Sequence, residues 1–183
     1  MKSIILTIFV LSFNIAANSQ VENTIYKKII DDYVLKLRPP NIDYKLKTTL
    51  TVLEKPVYMD TLNIDDYNRF KTKYEKLDKQ TFLDFINKAQ ENVQFEKISI
   101  PNFEFIALKR DSVPKHNELI LKYPYWVYSI LEFSNIGFNE EKDQALVYYG
   151  FNSGPGVGGG VYIVFEKKKN KWKEKAVIPA WAA

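Results

Sequence analysis

A chain of 183 residues that is 46% hydrophobic and 15% aromatic, with no cysteine, has enough apolar surface for one core. It excludes disulfide staples, a lipid-bearing N-terminal cysteine and any thiolate chemistry. The formal charge of +4, from 26 Lys and Arg against 22 Asp and Glu, is concentrated in one place, because residues 167–175 hold six Lys and one Glu. A nucleic-acid surface needs basic residues spread along a face with aromatics between them; a short lysine run reads instead as a solvated hairpin tip that discourages edge-to-edge sheet pairing.

The chain opens with Lys2, an apolar run from Ile4 to Phe13, and the small residues Ala17 and Ser19. That order predicts a secretory signal peptide over residues 1–19, cut near Ser19/Gln20, and a periplasmic or secreted mature protein. The run is about ten residues where about 20 are needed to span a bilayer, so no transmembrane anchor is expected in the mature form. Residues 20–183 are then expected to form a single α+β domain.

From Val21 to Leu37 the apolar residues fall at 25, 26, 29, 30, 33, 34 and 37, a helix with one buried stripe, stopped by Arg38-Pro39-Pro40. Lys45–Leu53 predicts a strand running on toward Tyr58, with Pro56 suiting an edge position. Residues 60–77 have no clean period and predict a loop or short helix. Asp78 caps a second helix through Gln90, with Phe82, Phe85, Ile86 and Ala89 on one face. Strands are expected at Phe103–Leu108, Tyr125–Phe133, Gln144–Phe151, Val161–Glu166 and Trp172–Ile178. Helices first and strands last, without regular alternation, give the class α+β: N-terminal helices packed on a mainly C-terminal antiparallel sheet. If Asn170-Lys171 makes a two-residue turn, Lys167 faces Glu174, Glu166 faces Lys175, Phe165 faces Ala176 and Ile163 faces Ile178.

Gly154, Gly156 and Gly159 match the G-x-G-x-x-G spacing. A dinucleotide site requires a helix after the glycines to receive the pyrophosphate, whereas Val161-Tyr-Ile-Val-Phe165 predicts a strand. No Gly-Lys-Ser/Thr closes the run, and Pro155 removes a backbone donor. We therefore expect no nucleotide and no other cofactor, and a wide turn between antiparallel strands with a bulge or positive φ at glycine.

His116 is the only histidine, and Ser153 lies outside any G-x-S-x-G elbow, so neither a catalytic triad nor a zinc site is expected. The pairs Asp31-Asp32, Asp65-Asp66 and Glu140-Glu141 are sequence neighbours that point apart, unlike carboxylates facing across a cleft. Tyr123, Tyr125 and Trp126 form the most aromatic stretch, and aromatic rings are favoured in contact surfaces; with His116 they are the candidate ligand- or partner-binding residues.

Phe133-Ser-Asn-Ile-Gly-Phe-Asn139, then Gln144-Ala-Leu-Val-Tyr-Tyr149, the glycine run, and Val161-Tyr-Ile-Val-Phe-Glu-Lys-Lys-Lys-Asn-Lys-Trp172 resemble the tail of uncharacterised exported proteins and lipoproteins of Bacteroidota-type bacteria. The resemblance covers the C-terminal third and implies an envelope or secreted setting, with no activity attached. Lacking a cysteine, this chain departs from the lipoprotein members. The expected function is a non-catalytic module binding an envelope or extracellular protein or a small ligand; an exported hydrolase and an inhibitor or immunity-type protein are the alternatives.

Overall fold

The computed structural model describes residues 20–37, 48–56, 59, 61–109, 129–154 and 156–183. Helix α1 covers residues 20–29 and continues through a π turn, Ile30–Val34, and a 3-10 turn, Leu35–Leu37. Strand β1 is Thr48–Leu53, helix α2 is Tyr67–Lys73 and helix α3 is Lys79–Ala89. The remaining strands are β2 (Phe103–Leu108), β3 (Ile130–Phe133), β4 (Gly137–Phe138), β5 (Gln144–Gly154), β6 (Val157–Lys168) and β7 (Lys171–Ala182).

The class is α+β with helices N-terminal to most of the sheet. Among the described residues seven strands form one sheet in the order β2-β1-β3-β5-β6-β7, and β4 adds to β5 alongside β3. From β3 to β7 all pairings are antiparallel, as expected from the strand-rich C-terminal half. At the other side β1 lies parallel to both β2 and β3, which makes the sheet mixed. This placement corrects the edge-strand reading of β1. It is an interior strand that ends at Leu53, and Pro56 lies beyond it, where a missing N–H costs no ladder bond.

Both faces of the sheet are covered, each for a reason legible in side-chain period. On one face α1 buries Ile25, Tyr26, Ile29, Ile30 and Val34 against Phe133, Ala145, Val147, Tyr149, Ile163 and Phe165. On the other, α2 and α3 bury Phe70, Phe82, Phe85 and Ala89 against Leu146, Tyr148, Tyr162 and Val164. Alternation in β5 and β6 thus sends odd and even residues into two cores, and complete burial of a Phe or Ile contributes about 1.5–3 kcal/mol. The predicted cap holds: Asp78 Oδ1 accepts from the Gln80 N–H at 2.6 Å. The segment without a period folds as a 3-10 turn at Ile64–Asp66 followed by α2, started by a capping box between Asn63 and Asp66.

The β6–β7 register differs from the expected one. Lys169 and Asn170 occupy the turn with φ of 49° and 61°, so Lys168 pairs with Lys171, Lys167 with Trp172, Glu166 with Lys173 and Phe165 with Glu174. Irregularities at Val164/Phe165 and Gly160/Val161 each shift the ladder by a residue, so Ile163 meets Val177 and Tyr162 meets Ile178. Glu166 still reaches Lys175, at 3.8 Å. At the other hairpin Gly154 pairs with Val157, a tighter connection than a wide turn, with a register shift between Asn152 and Gly154 and φ of 72° at Gly156.

Candidate functional site

Among the described residues the two-residue β4 has a strand neighbour, β5, on one side only. Around its open side the helical layers of the two faces approach each other, and Glu22 of α1 and Lys88 of α3 line the same two adjoining cavities. The larger, about 370 Å³, is completed by Asn23 and Tyr26 of α1, the 91–94 segment after α3, Lys97, Ile98 and Asn135. The smaller, about 250 Å³, lies toward Gln80, Asp84, Phe138 and the turn carrying Glu140 and Lys142.

The lining is held by hydrogen bonds that have structural reasons. Asn135 Nδ2 donates to the carbonyls of Lys88 (3.0 Å) and Glu91 (3.2 Å), at the turn where α3 ends. Asn23 Oδ1 accepts from the Ser99 N–H at 3.3 Å. Asp84 Oδ2 accepts from the Phe138 N–H at 2.8 Å and from Lys88 Nζ at 2.7 Å, fixing β4 to α3. The Lys88 ammonium also sits 5.8 Å from the Phe138 ring centroid. Burial pushes the Glu22 carboxyl above its ordinary value, Lys88 and Lys142 oppose the shift, and Asp84 adds to it. The groove therefore offers cations, carboxylates and side-chain amides within one concavity. Neither lining contains Ser, Thr, Cys or His, so neither supplies the nucleophile and imidazole base of acyl transfer.

A second polar constellation lies inside the sheet. Trp181 Nε1 donates to the Tyr148 hydroxyl at 2.7 Å, and that hydroxyl donates to Glu132 Oε2 at 3.3 Å. Tyr148 and Glu132 are buried; burial first, then the Glu132 carboxylate, pushes the Tyr148 phenol well above its ordinary value. The glycine run serves this chain of hydrogen bonds. A Cβ on Gly160 would lie 2.3 Å from Trp181 Nε1 and 2.6 Å from the Tyr148 hydroxyl oxygen, and one on Gly150, its cross-strand partner, 2.5 Å from that same oxygen. The run spans the β5–β6 turn and the first residues of β6, with no helix after it, so it lacks the helix N-terminus of a dinucleotide cradle.

The predicted site residues His116, Tyr123, Tyr125 and Trp126 lie outside the described residues. Ser153 sits in β5 with its hydroxyl 2.5 Å from that of Ser129, and Asp31 and Asp32 pair with Lys27 and Lys28 along α1. Asn139 organises the Glu140–Asp143 turn: its Oδ1 accepts from the Asp143 and Gln144 N–H groups, and its Nδ2 donates to Glu141 and Asp143. Sequence reasoning missed Glu22, Lys88 and Asn135, which come from three separate elements; only the polar flank of each helix hinted at them. Among the described residues no helix is long and apolar enough to cross a membrane, and no group of three or more His, Cys, Asp or Glu is placed to hold a metal ion. No protein-family model, curated protein or solved structure matches the chain.

Proposed function

We propose that this chain is an exported, non-catalytic binding module of a bacterial envelope, and that the groove between α1 and α3 receives a small polar ligand carrying both charges. The observation that carries the reading is the convergence of Glu22, Lys88, Asn23 and Asn135 on adjoining cavities whose linings contain no Ser, Thr, Cys or His. A concave site with a few oriented polar groups is the usual form of a small-molecule site. Export is supported by the amino-terminal sequence, and Val21 is among the residues packed on the core, so a cut before Gln20 leaves the described packing whole. Mass spectrometry of the envelope fraction tests the cut; an intact Met1 terminus would refute it.

Binding is tested by heteronuclear NMR titration with glycylglycine and with a Lys-Glu dipeptide. The side-chain amides of Asn23 and Asn135 should shift saturably. Lys88→Ala should weaken the interaction at least about tenfold, the scale of a lost charged hydrogen bond. Its stability should fall by only about 0.5 kcal/mol, since the i,i+4 pair with Asp84 is partly exposed. Absence of any saturable shift at millimolar dipeptide would sink the reading.

A further inference from the structure

The β6–β7 hairpin ends in a group of cations that the fold leaves unneutralised. Lys168, Lys169, Lys171 and Lys173 are exposed, and none has an ion pair among the described residues. The two acids beside them are committed elsewhere. Glu166 accepts from the Tyr74 hydroxyl at 2.5 Å on the α2/α3 face and lies by Lys175, and Glu174 accepts from the Tyr33 hydroxyl at 2.6 Å on the α1 face. One helical layer thus holds each acid, and four lysines are left at the tip.

Backbone geometry makes the same point independently. A two-residue turn with both central residues at positive φ strongly favours Asn-Gly, because a β-carbon there meets the adjacent carbonyl. This turn instead places Lys169 at φ 49° ahead of Asn170. A lysine in that position is conformationally unfavourable, so this turn carries the Lys169 charge at a cost in backbone strain. Trp172, the tip's aromatic residue, is buried and packs 6.0 Å from Phe138.

We propose that this hairpin tip docks on an anionic phospholipid surface. The tip presents four exposed lysines, and its own ring, Trp172, is buried. Single-stranded nucleic acids and protein hot spots are recognised with aromatic groups for stacking or anchoring, which this surface does not offer. A flat layer of phosphate headgroups requires only clustered cations, each lysine near such a surface contributing about a fivefold gain in affinity. Four give a few-hundred-fold preference for an anionic over a neutral bilayer, strongly reduced by salt.

The test is sedimentation of the full chain with vesicles of one-third phosphatidylglycerol in phosphatidylcholine, against vesicles of pure phosphatidylcholine. Adsorption by Lys2 and the apolar amino-terminal run is common to wild type and variants, so the comparison between them isolates the hairpin tip. The wild type should prefer the anionic vesicles and lose that preference in high salt, and replacing all four lysines by Gln should weaken it at least about fiftyfold. Lys169→Gly serves if the quadruple variant fails to fold: it should melt at a higher temperature than wild type and yet bind about fivefold more weakly. Equal binding to both vesicle types, or no change in either variant, overturns the proposal. So does tighter, lysine-dependent retention on duplex DNA than on the anionic vesicles.

Discussion

Gly137 shows how much one missing side chain can decide. A β-carbon there would lie 2.3 Å from the Phe85 backbone nitrogen and 2.4 Å from its Cα, atoms of α3 that cannot rotate away. Gly137→Ala should therefore push α3 off β4, costing about 3 kcal/mol or more by overpacking and disturbing the Asp84 to Phe138 hydrogen bond at the candidate groove. Gly156 is the control: it has positive φ but open space around it, so Gly156→Ala should cost only about 1–2 kcal/mol of left-handed strain. Urea melts of the two variants check the order, and equal losses would show that close approach is not the reason for Gly137. The role of Gly137 was not legible in sequence, whereas a positive φ was expected within the glycine run and falls at Gly156. The glycines at 150, 158 and 160 signal space for Tyr148 and Trp181 only once Gly150 and Gly160 are known to face each other across β5 and β6.

At the scale of elements, α1 and α3 were readable because their apolar residues follow a helical period, and the buried residues of α3 keep to that stripe. The cap was readable for a similar reason, since it lies within one turn of the helix it serves. Asp78→Ala should cost about 1 kcal/mol, measured as a lower urea midpoint at unchanged slope; an unchanged midpoint would show that the 2.6 Å contact contributes nothing net. What could not be read depended on partners distant in sequence. The parallel pairing of β1 with β2 joins Thr48 to Phe103, and no local pattern distinguishes that from a hairpin-built edge. The two β6–β7 bulges escaped for another reason. Opposite charges on Glu166, Lys173, Glu174 and Lys175 can meet in several registers, so charge matching alone did not choose among them. The groove was the least legible feature, because Glu22, Lys88 and Asn135 converge only after both helical layers have packed.

The molecule as a whole is a sheet buried on both faces, and the tyrosines of its two cores tie that architecture to pH. Tyr26, Tyr149 and Tyr33 on the α1 side, and Tyr148, Tyr162 and Tyr74 on the other, all have phenols pushed above the ordinary value, in every case mainly by burial. For Tyr33 and Tyr74 the hydrogen bonds to Glu174 and Glu166 add to the shift, since a phenol that donates to a carboxylate resists losing its proton. The sign follows directly. Below pH about 10 these phenols are protonated in both folded and unfolded chains and contribute no pH dependence. Above it the unfolded chain loses protons that the folded chain retains, so stability falls by about 1.4 kcal/mol per pH unit for each such tyrosine. Tyr26, Tyr148 and Tyr149 are nearly inaccessible and should act together, at about 4 kcal/mol per unit. Against a total stability of about 5–15 kcal/mol for a domain, cooperative unfolding is expected above pH about 11. Phenolate absorbance should then rise in two stages, exposed tyrosines first and the buried set only with loss of the near-ultraviolet circular dichroism. A single smooth titration at the ordinary phenol value, with tertiary structure intact, would contradict the two-core packing.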